Sequence, residues 1–176
     1  MPRFTGVALA LGADDDRDAR GFAASDFDRD GDLDIAINHN PGDNEQVERR
    51  RPSLLRNDIG HRRPWLAVDL VGTESNRDGV GATVIVEAAG RRQLRLATAG
   101  SGYASQRSPR LHFGLGEADS VDSLTVRWPS GREETFGPFA SRRVVRLTEG
   151  EGAELLPVAP SAPLGGLRAG GPEPGG

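Results

Sequence analysis

The nonapeptide DFDRDGDLD, which spans residues 26–34, places an aspartate at every second position and a glycine at the sixth. Carboxylates this close repel one another, so a folded chain holds them together when a positive charge lies between them. A divalent cation with about six to eight oxygen ligands meets this need, and Ca²⁺ fits better than Mg²⁺ because its coordination shell is larger and less rigid. Gly31 supplies the tight turn around the ion. The sequence therefore predicts a calcium loop formed by Asp26, Asp28, Asp30, Asp32 and Asp34.

The residues after the loop distinguish it from an EF-hand. An EF-hand loop needs a glutamate at its twelfth position and a helix on each side, but the twelfth position counted from Asp26 is Ile37. Residues 33–38 alternate apolar and polar side chains, which predicts a strand. We therefore expect the loop to end at its ninth position, Asp34, with a backbone carbonyl from Asp32 and side-chain oxygens from the other aspartates. A solvated acidic turn that binds no ion is the alternative.

Composition narrows the functional classes. The chain has 176 residues, a net charge of −4 and 36% hydrophobic residues, which describes a soluble globular protein and argues against a nucleic-acid partner. It has no cysteine, so disulfides, thiol nucleophiles and thiolate metal sites are excluded. No apolar run is long enough for a membrane span. Residues 1–12 lack the hydrophobic core of an export signal, so we expect none in the chain as written.

Strand patterns follow one another from Leu54 onward, separated by turns rich in glycine and proline. This spacing predicts an antiparallel β-sandwich or barrel, and no segment shows a sustained helical period. Residues 157–176 are rich in proline and glycine and are expected to be disordered. The expected strands are 65–71, 81–88, 93–98, 111–115, 123–128, 133–136 and 142–147.

Two parts of the chain resemble known families. Residues 21–35, GFAASDFDRDGDLDI, resemble the calcium loop of an FG-GAP or VCBS repeat, which implies a β-propeller blade. The later part resembles the ASPIC/UnbV domain family of cartilage acidic protein-like proteins. The motifs that carry this second resemblance are LLRN (54–57), GTESNRDGVGA (72–82), GSGYASQ (100–106), LHFGLG (111–116) and VRWPSG (126–131).

The resemblances imply an all-β chain in which a partial β-propeller blade is followed by an antiparallel β-sandwich-like module and a disordered C-terminal tail. The expected divisions are the partial FG-GAP/VCBS repeat at 1–48, a linker at 49–63, the ASPIC/UnbV-like module at 64–150 and the tail at 151–176. A single blade cannot bury its faces alone. We therefore expect the chain to be the C-terminal part of a larger exported protein, extracellular or periplasmic.

The sequence shows no constellation that indicates catalysis. His39, His61 and His112 lack metal-ligand spacing to one another and are each expected to be surface histidines. Ser101 lies between glycines but lacks the G-x-S-x-G elbow. Trp65 and Trp128 are expected to be packing residues.

The expected function is a non-catalytic calcium-binding β module with a binding, adhesion or structural role. The alternative is an accessory domain of a secreted or periplasmic enzyme whose catalytic part is absent from this chain. The expected partner is an unknown protein or carbohydrate. Residues 100–110, with Tyr103 and Arg107, form a candidate surface for it.

Overall fold

The computed structural model describes residues 18–40, 52–100, 102–103 and 105–158. These residues form β-strands and a short 3₁₀ turn at Gly60–Arg62, which confirms the prediction of an all-β chain. The strands are β1 (Ala19–Ser25), β2 (Asp34–His39), β3 (Ser53–Leu55), β4 (Trp65–Val71), β5 (Thr83–Ala88), β6 (Arg91–Leu96), β7 (Leu111–Gly114), β8 (Ser120–Val121), β9 (Ser123–Arg127), β10 (Glu133–Phe136), β11 (Phe139–Ala140), β12 (Arg143–Thr148) and β13 (Gly152–Leu156).

The first sheet contains three antiparallel strands in the order β1-β2-β3, and the acidic loop connects β1 to β2. Strand β3 lies within residues 49–63, which were predicted to be a linker. That prediction is wrong for Ser53–Leu55, because these residues pair with the backbone of β2. Three residues were too short a run for the alternating pattern to stand out.

Two four-stranded sheets, β10-β9-β5-β6 and β13-β12-β4-β7, follow the first sheet. Both sheets contribute to one hydrophobic core that includes Leu66, Val86, Phe113, Leu124 and Val145, each fully buried. Alternate residues of β4, β5, β7, β9 and β12 face this core, as expected when two sheets pack face to face. The short pair β8 and β11 forms a separate two-stranded sheet.

One strand pair departs from the antiparallel prediction. Strands β4 and β12 run parallel, with Leu66 opposite Arg143 and Val71 opposite Thr148. Parallel neighbours require a long crossover connection, and the strands between them, which include all four strands of the sheet β10-β9-β5-β6, supply it. A period-two pattern gives strand positions but not the direction of a partner, so the sequence did not reveal this pair.

The C-terminal boundary also differs from the prediction. The tail was expected to begin at residue 151, yet Gly152–Leu156 is a strand that pairs antiparallel with β12, with Leu155 opposite Val145. The reason is that β12 has an open edge that these residues cover. Residues 159–176, the rest of the predicted tail, lie outside the described residues.

Candidate metal centre

The acidic loop folds so that its aspartates accept hydrogen bonds from its own backbone. The N–H of Gly31 donates to Asp26 Oδ2 at 3.2 Å, and the N–H of Phe27 donates to Asp34 Oδ2 at 3.0 Å. The N–H of Asp30 donates to Asp28 Oδ1 at 3.3 Å. These bonds close the loop across its length and turn the carboxylates inward.

The structure separates the five predicted ligands into two groups. One carboxylate oxygen from each of Asp26, Asp28 and Asp34 lies within 4.8 Å of the other two. Asp30 and Asp32 form a second group with His61. Three converging carboxylates offer hard oxygen ligands of the kind that Ca²⁺ prefers.

The first group contains an oxygen that the described part of the chain leaves unsatisfied. Asp26 Oδ1 is buried and has no hydrogen-bond partner there. Burial, together with the nearby Asp30 carboxylate, raises the pKa of Asp26 to about 6, although the hydrogen bond from the Gly31 N–H lowers it. Burial also raises the pKa of Asp30. The loop thus holds more negative charge than its surroundings stabilise, which favours a bound cation.

The Asp32 carboxylate contacts His61. Asp32 is 3% exposed, and its Oδ2 accepts a hydrogen bond from the backbone N–H of His61 at 2.8 Å. The His61 Nδ1 lies 3.1 Å from the same oxygen and 2.9 Å from Asp30 Oδ2. Asp32 Oδ2 is therefore directed to His61, whereas Asp32 Oδ1, like Asp26 Oδ1, is buried without a hydrogen-bond partner in the described part of the chain. Coordination through the Asp32 backbone carbonyl stays a prediction.

The expectation of three surface histidines is wrong. His39 is 4% exposed and its Nε2 lies 3.0 Å from the Ser53 hydroxyl. His112 Nε2 donates to the Gly31 carbonyl at 2.7 Å, and its ring stacks on Trp65 with 5.9 Å between the centroids. Burial lowers the pKa of His112. The outer face of β7 was predicted to meet solvent, but the acidic loop covers it.

Gly31 connects the loop to the sandwich. Its φ is 101°, which favours glycine, and a Cβ at this position would overlap the indole ring of Trp65. Trp65 is 3% exposed and lies on the face of β4 opposite the main core, in a small cluster with Ala67 and Val144. The glycine is therefore required by the contact with Trp65 as well as by the turn.

A cavity of about 140 Å³ lies beside this contact, between the first sheet and the sandwich. Residues at the end of β1, on β4 and on β7 form its walls. Its lining consists of Ala24, Ser25, Asp26, Leu33, Ala67, Arg95, Arg107, Ser108, Arg110, Leu111 and His112. Arg107 was predicted as part of a binding surface and does line this cavity, whereas Tyr103 is 79% exposed and is not among the lining residues.

Comparison with known proteins agrees with the resemblance found for the second part of the chain. Residues 72–154 match the family model described as ASPIC and UnbV. Cartilage acidic protein 1 of Xenopus tropicalis is 34% identical over 114 residues, which is 64% of this chain and 16% of that protein. The human protein of the same name is 33% identical over 114 residues, which is again 64% of this chain and 16% of that protein.

These matches confirm the ASPIC/UnbV assignment for the segment they cover. The chain spans about 16% of the length of the curated relatives it matches. The FG-GAP or VCBS assignment of the first sheet stays a prediction. Within the described residues there is no helix long and apolar enough to cross a membrane.

The ASPIC and UnbV segment contains a buried carboxylate that the sequence did not reveal. Glu149 is 1% exposed, and its Oε2 accepts hydrogen bonds from the N–H groups of Thr73 (3.0 Å), Glu74 (3.0 Å) and Ser75 (2.7 Å). Burial alone raises the pKa of Glu149, but the hydroxyl of Ser130 and the donors of Ser75 and Thr73 outweigh it and hold the pKa at about 2.

Glu149 therefore fastens the loop after β4 to the end of β12. Its role is structural, because the hydrogen-bond donors that surround it all belong to the chain itself. The sequence offered no signal for this role, because a glutamate directly before a glycine, as in Glu149-Gly150, is also typical of an exposed turn.

Proposed function

We propose that this chain is a non-catalytic, calcium-stabilised β module with a binding or structural role in a larger exported protein. The observation that carries the proposal is the convergence of Asp26, Asp28 and Asp34, together with the buried, unsatisfied Oδ1 of Asp26 among the described residues. A cation at this point would supply the missing partner and offset the repulsion between the carboxylates.

The chemistry of the group favours Ca²⁺ over other divalent ions. Its donors are carboxylate oxygens, which exclude a preference for soft metals. The loop carries further oxygen donors close by, since the charge of Asp30 reaches Asp26 strongly enough to raise its pKa. A flexible shell with several oxygens suits Ca²⁺, whereas Mg²⁺ demands a strict octahedron.

The proposal that the chain acts within a larger exported protein rests on two supports. The chain spans about 16% of the curated relatives, and their printed name refers to cartilage, an extracellular tissue. In addition, no apolar side chain of β1, β2 or β3 is among the fully buried residues of the described chain. A sheet without its own core needs neighbours, so we propose an extracellular or periplasmic parent protein.

The absence of catalysis is part of the proposal. His61 contacts two carboxylates and His112 donates to a backbone carbonyl, so both rings are occupied by structural contacts. His39 contacts the Ser53 hydroxyl, but His39 is buried and neither residue lines the cavity described above. The pair therefore does not present an accessible base and nucleophile to a substrate.

Calorimetric titration with Ca²⁺ tests the proposal. We expect the wild-type chain to bind Ca²⁺ with measurable heat and a raised melting temperature. Asp28→Asn removes one charged ligand and should weaken binding by about tenfold or more. Asp119→Asn, an exposed aspartate outside the loop, is the matched control and should behave as the wild type. Equal heats from wild type and Asp28→Asn would contradict the calcium site.

A further inference from the structure

The cavity between the first sheet and the sandwich carries more positive charge than the chain neutralises. Three arginines, Arg95, Arg107 and Arg110, line it. Arg110 is held by Asp69, with its Nε 2.7 Å from Oδ1 and its Nη2 2.8 Å from Oδ2. This bidentate pair neutralises the charge of Arg110. The guanidinium groups of Arg95 and Arg107 remain.

Arg95 and Arg107 have no carboxylate partner among the described residues. The Arg107 Nη2 donates to the Thr98 hydroxyl at 3.1 Å, which positions the side chain without neutralising it. The guanidinium of Arg95 lies 5.9 Å from the ring centroid of Phe113, a cation–π contact that also leaves its charge. Planar guanidinium groups recognise carboxylates with two parallel hydrogen bonds.

The other titratable groups of the lining do not cancel this charge. Asp26 also lines the cavity and its charge reaches Arg110, but Asp26 and Asp69 together supply two negative charges against three arginines. His112 is neutral at pH 7 because burial lowers its pKa. The cavity therefore favours an anionic ligand.

The remaining walls and the size of the cavity define the ligand further. Ala24, Leu33, Ala67 and Leu111 provide apolar surface, and Ser25 and Ser108 provide hydroxyl groups. A volume of about 140 Å³ is close to that of a cavity that holds one benzene molecule, about 150 Å³, so the cavity admits no more than one sugar ring.

We propose that this cavity binds a uronic acid residue of an acidic glycan, with the carboxylate placed between Arg95 and Arg107 and the pyranose ring against the apolar wall. The inference deepens the binding role proposed above, but it does not depend on the calcium site. The ligand carboxylate replaces the partner that both arginines lack, and the ring hydroxyls meet Ser25 and Ser108.

Titration of the full chain with D-glucuronate, D-glucose and a blocked aspartyl-glutamyl peptide, at one ionic strength and with saturating Ca²⁺, tests the inference. We expect glucuronate to bind at least tenfold more tightly than glucose or the peptide. Arg107→Gln and Arg95→Gln should each weaken glucuronate binding by about tenfold, the loss of one charge-assisted contact. Arg143→Gln, an exposed arginine on β12, should bind as the wild type.

Four results would contradict the inference in whole or in part. Equal binding of glucose and glucuronate, no detectable glucuronate binding, or unchanged affinity in both arginine variants would each overturn the proposal. Tighter binding of the peptide would overturn the sugar assignment. Melting curves and calcium titrations of the arginine variants identify any loss that is due to misfolding, and Arg107→Gln, whose side chain is exposed, provides the test if Arg95→Gln does not fold. If a variant loses glucuronate binding but still binds calcium, the loss is independent of the calcium site.

Discussion

The first sheet and the sandwich differ in what fills their interiors. In the sandwich, the fully buried side chains other than Glu149 are apolar, among them Leu66, Phe113 and Leu124. In the first sheet and its loop, the buried side chains are Asp32, Asp34 and His39. The stabilisation from apolar burial depends little on protons and cations, whereas a polar interior depends on hydrogen bonds, protons and cations. One chain thus combines a region stabilised by hydrophobic burial with one whose stability depends on charge.

The largest expected effect tests the hydrophobic side of this comparison. Phe113 is fully buried in the sandwich and Phe22, on β1, is 55% exposed. Phe113→Ala should cost about 3–5 kcal/mol of unfolding free energy, because it leaves a cavity in the core. Phe22→Ala should cost within about 0.5 kcal/mol. Urea unfolding measures both, and similar losses for the two variants would break the proposed difference between the regions.

A smaller effect is expected at the contact between the regions. Gly31→Ala combines a positive φ with overlap of the Trp65 ring, so it should both destabilise the chain and change the tryptophan fluorescence. Gly90→Ala is the matched control, because Gly90 also has a positive φ, +71°, but meets nothing within 4 Å. The φ strain alone costs about 1–3 kcal/mol. If Gly31→Ala and Gly90→Ala lower the unfolding free energy by the same amount, the contact with Trp65 does not stabilise the loop.

The smallest effects are pH dependences, and the two regions should respond in opposite directions. In the sandwich, the pKa of Glu149 falls from 4.5 to about 2 on folding. Its contribution to stability is therefore complete above pH 4.5 and is lost as the pH falls through 2. Glu149→Gln should be less stable at neutral pH and should lack this acid sensitivity, as measured by thermal melting from pH 2 to 5.

In the acidic loop, the pKa of Asp26 rises from 3.8 to about 6 on folding. Without a cation, the contribution of Asp26 to stability is therefore complete below pH 3.8 and is lost as the pH rises through 6. Asp26→Asn should remove this alkaline loss, and Ca²⁺ should stabilise the wild type more at pH 7 than at pH 5, because protons compete for the same oxygens. Melting in a chelator and in Ca²⁺ measures this, and an equal effect of Ca²⁺ at both pH values would count against the site.

Much of the local structure was predictable from the sequence. Residues 65–71 form a mostly apolar run that predicted β4 with its observed bounds. The nonapeptide predicted a loop of five aspartates between two strands, and three of the five converge in the structure. Both features come from residues that are neighbours in the chain, so the period of the pattern reveals them.

The missed features connect residues that are distant in the chain. The bond from His61 to Asp32 spans 29 residues, the bond from Thr73 to Glu149 spans 76 and the bond from His112 to Gly31 spans 81. No local pattern encodes such a pair, because each residue alone is also typical of a surface position.

The acidic nonapeptide by itself determined that carboxylates would face one another across a tight turn and that a strand would follow. Spacing along the backbone is enough for that, because alternation places every second side chain on one side. Only the tertiary structure decided that Gly31 would lie on Trp65, that Asp32 would turn to His61 and that three arginines would line one cavity. Those arrangements depend on how two sheets with different interiors pack together, and packing is decided between distant parts of the chain.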